Sequence, residues 1–114
     1  MIYICSPFSG DMDGNRKKAI AYCQYAMEHG ATPVAPHLLF PQFLDDTVPA
    51  EREMGMKMGL NLLDNCSEMW VMGDVISKGM KMEIEYAEQN NIHVLYFPAS
   101  DMEEKSQFGM EASL

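Results

Sequence analysis

Two rhythms of apolar residues alternate along this chain. Short β-branched and aromatic runs, Met1-Ile2-Tyr3-Ile4-Cys5, Met69-Trp70-Val71-Met72-Gly73 and Ile92 to Phe97, read as buried strands. Between them the spacing turns helical. From Asn15 to His29, the residues Ala19, Tyr22, Cys23, Ala26 and Met27 share one face, and Gly30 supplies the stop. Pro49 suits the first turn of a second helix, whose dipole Glu51 and Glu53 complement. Met54, Met58 and Leu62, with Leu63, form its apolar stripe through Asp64. The third strand is predicted from about Cys66 to Gly73, and a third helix from its N-cap Ser77 to about Asn90. Thr32-Pro33-Val34-Ala35-Pro36 is predicted as the second strand, with prolines that mark a strand end or a splayed segment. His37 to Thr47 reads as a loop.

Strands alternating with helices at this spacing predict right-handed βαβ units. The expected fold is α/β: a single-domain, Rossmann-like or flavodoxin-like three-layer sandwich with a four- or five-stranded parallel sheet. The expected domain covers residues 1–97. Residues 98–114 are polar and acidic, with Phe108 and Met110 as their large apolar groups, and read as a tail or a docking strap. At 114 residues, 47% hydrophobic and 22% charged, the chain is suited to one packed core and not to disorder. Its twelve methionines mostly fit helix stripes and read as core filler.

A net charge of -9 argues against nucleic-acid polymers and anionic membranes, which call for clustered Lys and Arg. No apolar run approaches the length of a membrane span, and the N-terminus has no charged n-region or long h-region, so no signal peptide is expected. Cys5, Cys23 and Cys66 lack CxxC spacing and read as buried free thiols of a reducing cytoplasm. Neither the cysteines nor His29, His37 and His93 have metal-ligand spacing, so no metal or other cofactor is expected.

In a parallel sheet, the carboxyl ends of the first three strands meet in one crevice. The first contributes Tyr3 and the turn Ser6-Pro7-Phe8-Ser9-Gly10; the second contributes His37; the third unit contributes Ser77, Gly79 and Glu83. Glu83 therefore reads as a candidate nucleophile, against the plainer reading of a helix-surface carboxylate. Tyr3 is either its partner or a strand aromatic satisfied at the sheet end. His37 either caps a loop or enters the pocket. Glu85 and Glu88 read as solvated charges, Trp70 as core, Asp11 and Asp13 as turn residues, and Arg52 as half of a surface ion pair or a phosphate or subunit contact.

Ile2-Tyr3 on the first strand, the Pro-Phe turn and Gly79-x-x-Met82-Glu83-Ile84-x-x-Ala87 resemble the nucleoside 2-deoxyribosyltransferase family, which includes 2′-deoxynucleoside 5′-phosphate N-hydrolases. Within that group the chain is most similar to a phage and bacterial branch. Its hallmarks appear as Tyr3-Ile4-Cys5-Ser6-Pro7, Ala35-Pro36-His37-Leu38, Glu51-Arg52-Glu53-x-Gly55, Glu68-Met69-Trp70-Val71 and Ser77-x-Gly79-Met80. The resemblance implies cleavage of a deoxyribose–base N-glycosidic bond, with Glu83 attacking the anomeric carbon and Tyr3 bonded to it. It further implies a small nucleotide or nucleoside as ligand, with Ser6, Pro7, Phe8, Ser9, Gly10, His37, Asn61, Ser77, Gly79 and Met80 as contacts.

The transferases carry an acidic residue at the position of Ser77, whereas the phosphate-dependent hydrolases carry serine. That points to a 5′-phosphate and to hydrolysis. The family's helix aspartate falls where this chain reads Gly59-Leu60-Asn61, with Asn61 as the nearest polar candidate; His37, Asp45 or Asp46 are then the candidate proton donors. A binding protein that keeps the pocket without turnover is the alternative. A homodimer or higher homo-oligomer is also expected, both from the family and from the methionines of the second helix.

Overall fold

A computed structural model describes residues 1–103 of the chain. Its elements are β1 (Ile2–Cys5), α1 (Met12–Glu28), β2 (Pro33–Val34), α2 (Pro36–Leu39), a 3-10 turn over Phe40–Gln42, α3 (Pro49–Asp64), β3 (Glu68–Met72), α4 (Lys78–Gln89), β4 (His93–Phe97) and α5 (Ala99–Glu103). The strands form one all-parallel sheet of order β2-β1-β3-β4. The chain steps from β1 to β2 in one direction and then crosses back to β3. With right-handed connections, this places α1 on one face and α3 and α4 on the other.

Strand alternation makes two cores. Tyr3, Cys5, Met69 and Val71 point to one face and pack with Leu63, Met80, Ile84 and Ala87 from α3 and α4. Ile2, Ile4, Trp70 and Met72 point to the other, where Tyr25 and Ala26 of α1 cover them and Met102 of α5 joins the edge. The register aligns Tyr3 with Met69 and Cys5 with Val71, so β1 is paired with β3 along its length and with β2 at Ile2 and Tyr3. Met80, Ile84 and Ala87, spaced i, i+4, i+7, form the buried stripe of α4.

Several sequence boundaries shift. Helix α1 begins at Met12, because Asp11 caps it by accepting from the Gly14 N–H at 3.1 Å. On α1, Met27 is 58% exposed and Tyr25 is buried instead, against Phe97. The small residues Ala19 and Ala26 let the helix pack closely, which leaves Met27 one step past the contact line. On α3 the deepest residues are Gly59 and Leu63, with Met54 exposed and Met58 and Leu62 half-buried. The stretch predicted as a loop after Pro36 contains α2 and the 3-10 turn, and the second strand contracts to Pro33–Val34. Cys23 is half-buried rather than buried. Among the described residues no helix is long and apolar enough to cross a membrane. Phe108 and Met110, part of the predicted tail, lie outside the described residues.

Candidate active site

Alternation along β1 decides the centre of the site. Tyr3 and Cys5, two residues apart, both face α4 and are fully buried. Glu83 lies on α4 between the buried Met80 and Ile84, and turns its carboxylate toward the end of β1. The Tyr3 hydroxyl donates to Glu83 Oε2. The Cys5 thiol donates to Glu83 Oε1, with Sγ 3.7 Å away. Burial raises the Glu83 carboxyl from 4.5 to about 7, against the opposing pull of the Tyr3 and Cys5 hydrogen bonds. Burial, reinforced by the Glu83 charge, pushes both the Tyr3 phenol and the Cys5 thiol far up, so both remain protonated donors.

The turn after β1 is fastened by a residue the sequence reading passed over. Asn15, buried in the first turns of α1, donates from Nδ2 to the carbonyls of Phe8 and Ser9, each at 3.1 Å. Phe8 then stacks on His37, with ring centroids 4.9 Å apart and an interplanar angle of 21°. Burial lowers the His37 imidazole below its ordinary range, opposed by a hydrogen bond to the Ser6 backbone and by the negative charge of Asp46. Ser6 is 2% exposed, and its hydroxyl has no hydrogen-bond partner among the described residues. At the start of α4, the Ser77 hydroxyl accepts from the Met80 N–H at 3.2 Å, as an N-cap should.

These groups surround a cavity of about 540 Å³, a size suited to a small organic ligand. Tyr3, Ser6, Phe8, Ser9, His37, Ser77, Gly79, Met80 and Glu83 all line it. Three expected contacts do not. Pro7 is half-buried in the turn without reaching the lining, and Gly10 is exposed. Gly10 instead takes φ +93°, which lets the chain turn into α1. Asn61 is exposed on the outer side of α3, because the helix turns Gly59 and Leu60 to the cavity. Gly59 and Leu60 carry no carboxylate, so this turn of α3 brings none to the site, and a side chain at Gly59 would begin 3.5 Å from the Tyr3 hydroxyl.

Of the candidate proton donors, His37 and Asp46 line the cavity, whereas Asp45 is exposed and accepts from the Thr47 N–H and hydroxyl. Arg52 and Lys78 contribute cationic side chains to the lining, and neither has an ion-pair partner among the described residues. The expected surface pair of Arg52 is thus not made among the described residues. The apolar wall from Phe40, Leu44 and Met56 comes from the segment predicted as a loop and from a helix position outside the predicted stripe. Among the described residues no three His, Cys, Asp or Glu side chains gather as metal ligands would.

Comparison of the sequence with curated proteins gives no match. Among solved structures, the fold is similar to a 2-deoxyribosyltransferase from the psychrotolerant bacterium Bacillus psychrosaccharolyticus, with a TM-score of 0.69 and 19% identity. That match covers 85% of this chain and 71% of the other. At this identity the likeness establishes the fold. The sequence itself matches one family model over residues 1–97, and the chain accordingly belongs to the family described as Domain of unknown function (DUF7768).

Proposed function

We propose that the protein cleaves the N-glycosidic bond of a deoxynucleoside 5′-monophosphate, with Glu83 as nucleophile. The observation that carries this reading is the Glu83 carboxylate, facing a cavity and held on both oxygens by Tyr3 and Cys5. A carboxylate so fixed is suited to an oxocarbenium-like transition state, where it first stabilises charge and then bonds to carbon. In the first step a Glu83 oxygen bonds to the anomeric carbon. The carbon–nitrogen bond breaks, its electron pair stays on the base, and the base nitrogen takes up a proton. Water then bonds to the same carbon, the ester bond breaks, the carboxylate is restored and a proton is released. Retained configuration follows from two displacements.

The remaining groups fit the parts of such a substrate. Phe8 and His37 offer a flat wall for the base. Ser77 and Gly79 at the positive end of α4, with Ser6 and Ser9 also in the lining, suit the 5′-phosphate, and Arg52 and Lys78 supply compensating charge. The same polar end supports a nucleotide over a nucleoside, and the serine at position 77, as in the phosphate-dependent hydrolases of the resembled family, supports hydrolysis over transfer to a second base. Of the candidate proton donors, His37 and Asp46 stand at the cavity, and the lowered imidazole of His37 makes it a donor to the leaving base chiefly on the acid side.

The test is incubation of wild type and Glu83→Ala with a panel of deoxynucleoside monophosphates, with released base read by chromatography. Base released by wild type and lost in the variant is the expected result. Release unaffected by Glu83→Ala overturns it. A second reading, a protein that binds or sequesters such a nucleotide without turnover, is favoured by Gly59 and Leu60 standing at the cavity where the resembled family has a carboxylate. Ligand-induced thermal stabilisation that survives Glu83→Ala, with no base released, selects that reading.

A further inference from the structure

Cys5 does not line the cavity, yet it touches the one carboxylate on which the proposed chemistry depends. It sits in the interior strand β1, opposite Val71, and is fully buried. Its neighbour on the same face is Tyr3, and the two donors divide the carboxylate: the phenol takes Oε2 and the thiol takes Oε1. These two bonds differ in kind. A phenol is a strong donor that draws electron density from the oxygen it holds, whereas a thiol is a weak and long-range one. The oxygen facing the thiol keeps more of its lone-pair density while its direction is still restrained.

We infer that Cys5 is a positioning residue for Glu83, steering Oε1 to be the oxygen that attacks the anomeric carbon while Tyr3 anchors Oε2. This rests on the reading of Glu83 as nucleophile. The strand makes the arrangement rigid, because Tyr3 is paired with β2 on one side and β3 on the other, and Cys5, on the same face, is paired with β3. The thiol has a second consequence. A donor on Oε1 favours the ionised carboxylate, so Cys5 offsets part of the burial that raises the Glu83 carboxyl. A thiol that merely filled space in the core would do neither.

Two measurements test this without needing turnover. The first follows the thiol S–H stretching bands of the wild-type protein by infrared spectroscopy as pH is raised. One band shifts as Glu83 ionises and stops shifting in Glu83→Gln; where Cys5→Ala folds, that band is absent from it. The Cys66 thiol, which donates to the Leu62 carbonyl, is the internal control that stays in place. The second is the titration of Glu83 by carbon NMR of labelled glutamate, with its signal assigned by its loss in Glu83→Gln. Cys5→Ala moves the midpoint up by about half a pH unit, and Cys5→Ser, which retains a donor, falls below Cys5→Ala.

With an active protein, that shift appears as kcat/KM about threefold lower on the acid side of the profile, with KM unchanged. The role of Cys5 is overturned by either of two results: no S–H band follows Glu83, or the Cys5→Ala midpoint coincides with wild type. The infrared titration uses only wild type and Glu83→Gln, so it decides the matter even where Cys5→Ala fails to fold. Both shifts without base release remove the glycosidase reading and leave Cys5 as the holder of the carboxylate. Base release with neither shift overturns the role of Cys5 alone.

Discussion

Replacing Glu83 by Gln gives a stability change whose pH dependence follows from the site. Gln has nearly the shape of Glu, can still accept from Tyr3 and never ionises. The wild-type carboxyl is raised from 4.5 to about 7 in the folded protein, chiefly by burial. A raised carboxyl means that the folded state binds its proton more tightly than the unfolded chain does. Glu83 therefore lowers stability progressively as pH rises from about 4.5 to about 7 and by a constant amount above that. At about 1.4 kcal/mol per pH unit, the full effect is about 3 kcal/mol. Because the side chain keeps part of its surface open to the cavity, that figure is an upper bound.

Glu83→Gln and wild type should thus be nearly equal in stability near pH 4.5. The variant should pull ahead through neutrality and level off above pH 7. At the upper bound this raises the melting temperature at alkaline pH on the order of 10 °C. Urea unfolding followed through Trp70, the chain's one tryptophan and a buried one, reads the difference at each pH. Other titrating groups are common to both proteins and largely cancel in the comparison. A difference that stays flat to within about 0.5 kcal/mol across this range would refute the reasoning, since surface substitutions alone give that much.

Three further outcomes follow from the same geometry. Tyr3→Phe removes a bond that favours the Glu83 anion, so the Glu83 midpoint should rise above its value of about 7, by about one further unit; carbon NMR titration checks it, and an unchanged midpoint contradicts the bond. Asn15→Ala leaves the Phe8 and Ser9 carbonyls without their donor and should cost about 1–2 kcal/mol in urea unfolding. It should also weaken nucleotide binding, because the turn carrying Phe8 loosens. Met54 is 52% exposed on α3, away from the cavity wall that Met56 joins, and is an apolar group available to a second copy of the chain; light scattering at micromolar concentration should give the mass of a dimer or larger, and a monomer mass counts against it.

Local pattern was enough for the architecture and for part of the site. The buried faces were legible in part, since Met27 and Met54 of the predicted faces are exposed. Continuous apolar runs around Tyr3 and Trp70, and the helical spacing between them, determine which segments are strands and helices. These depend on neighbours in sequence and on the handedness of the chain, both of which a sequence carries. Ser77 was legible as a cap for the same reason. The pairing of Tyr3 with Glu83 was foreseen, but through resemblance, since 80 positions separate the two residues.

What only the tertiary structure decided are matters of helix rotation and of long-range approach. A turn of α3 by one residue sends Asn61 to solvent and brings Gly59 to the Tyr3 hydroxyl, and no local preference distinguishes the two settings. The Phe8–His37 stack, the Asn15 clasp and the place of Arg52 depend on how α1, α2 and α3 dock over the sheet. Cys5 lies between the two cases. Its two-residue spacing from Tyr3 places both on one face from sequence alone, but its reach to Glu83 Oε1 required the register of β1 and the placement of α4. Burial by the assembled fold, rather than the identity of any single residue, turns an ordinary carboxylate into one that ionises near neutrality.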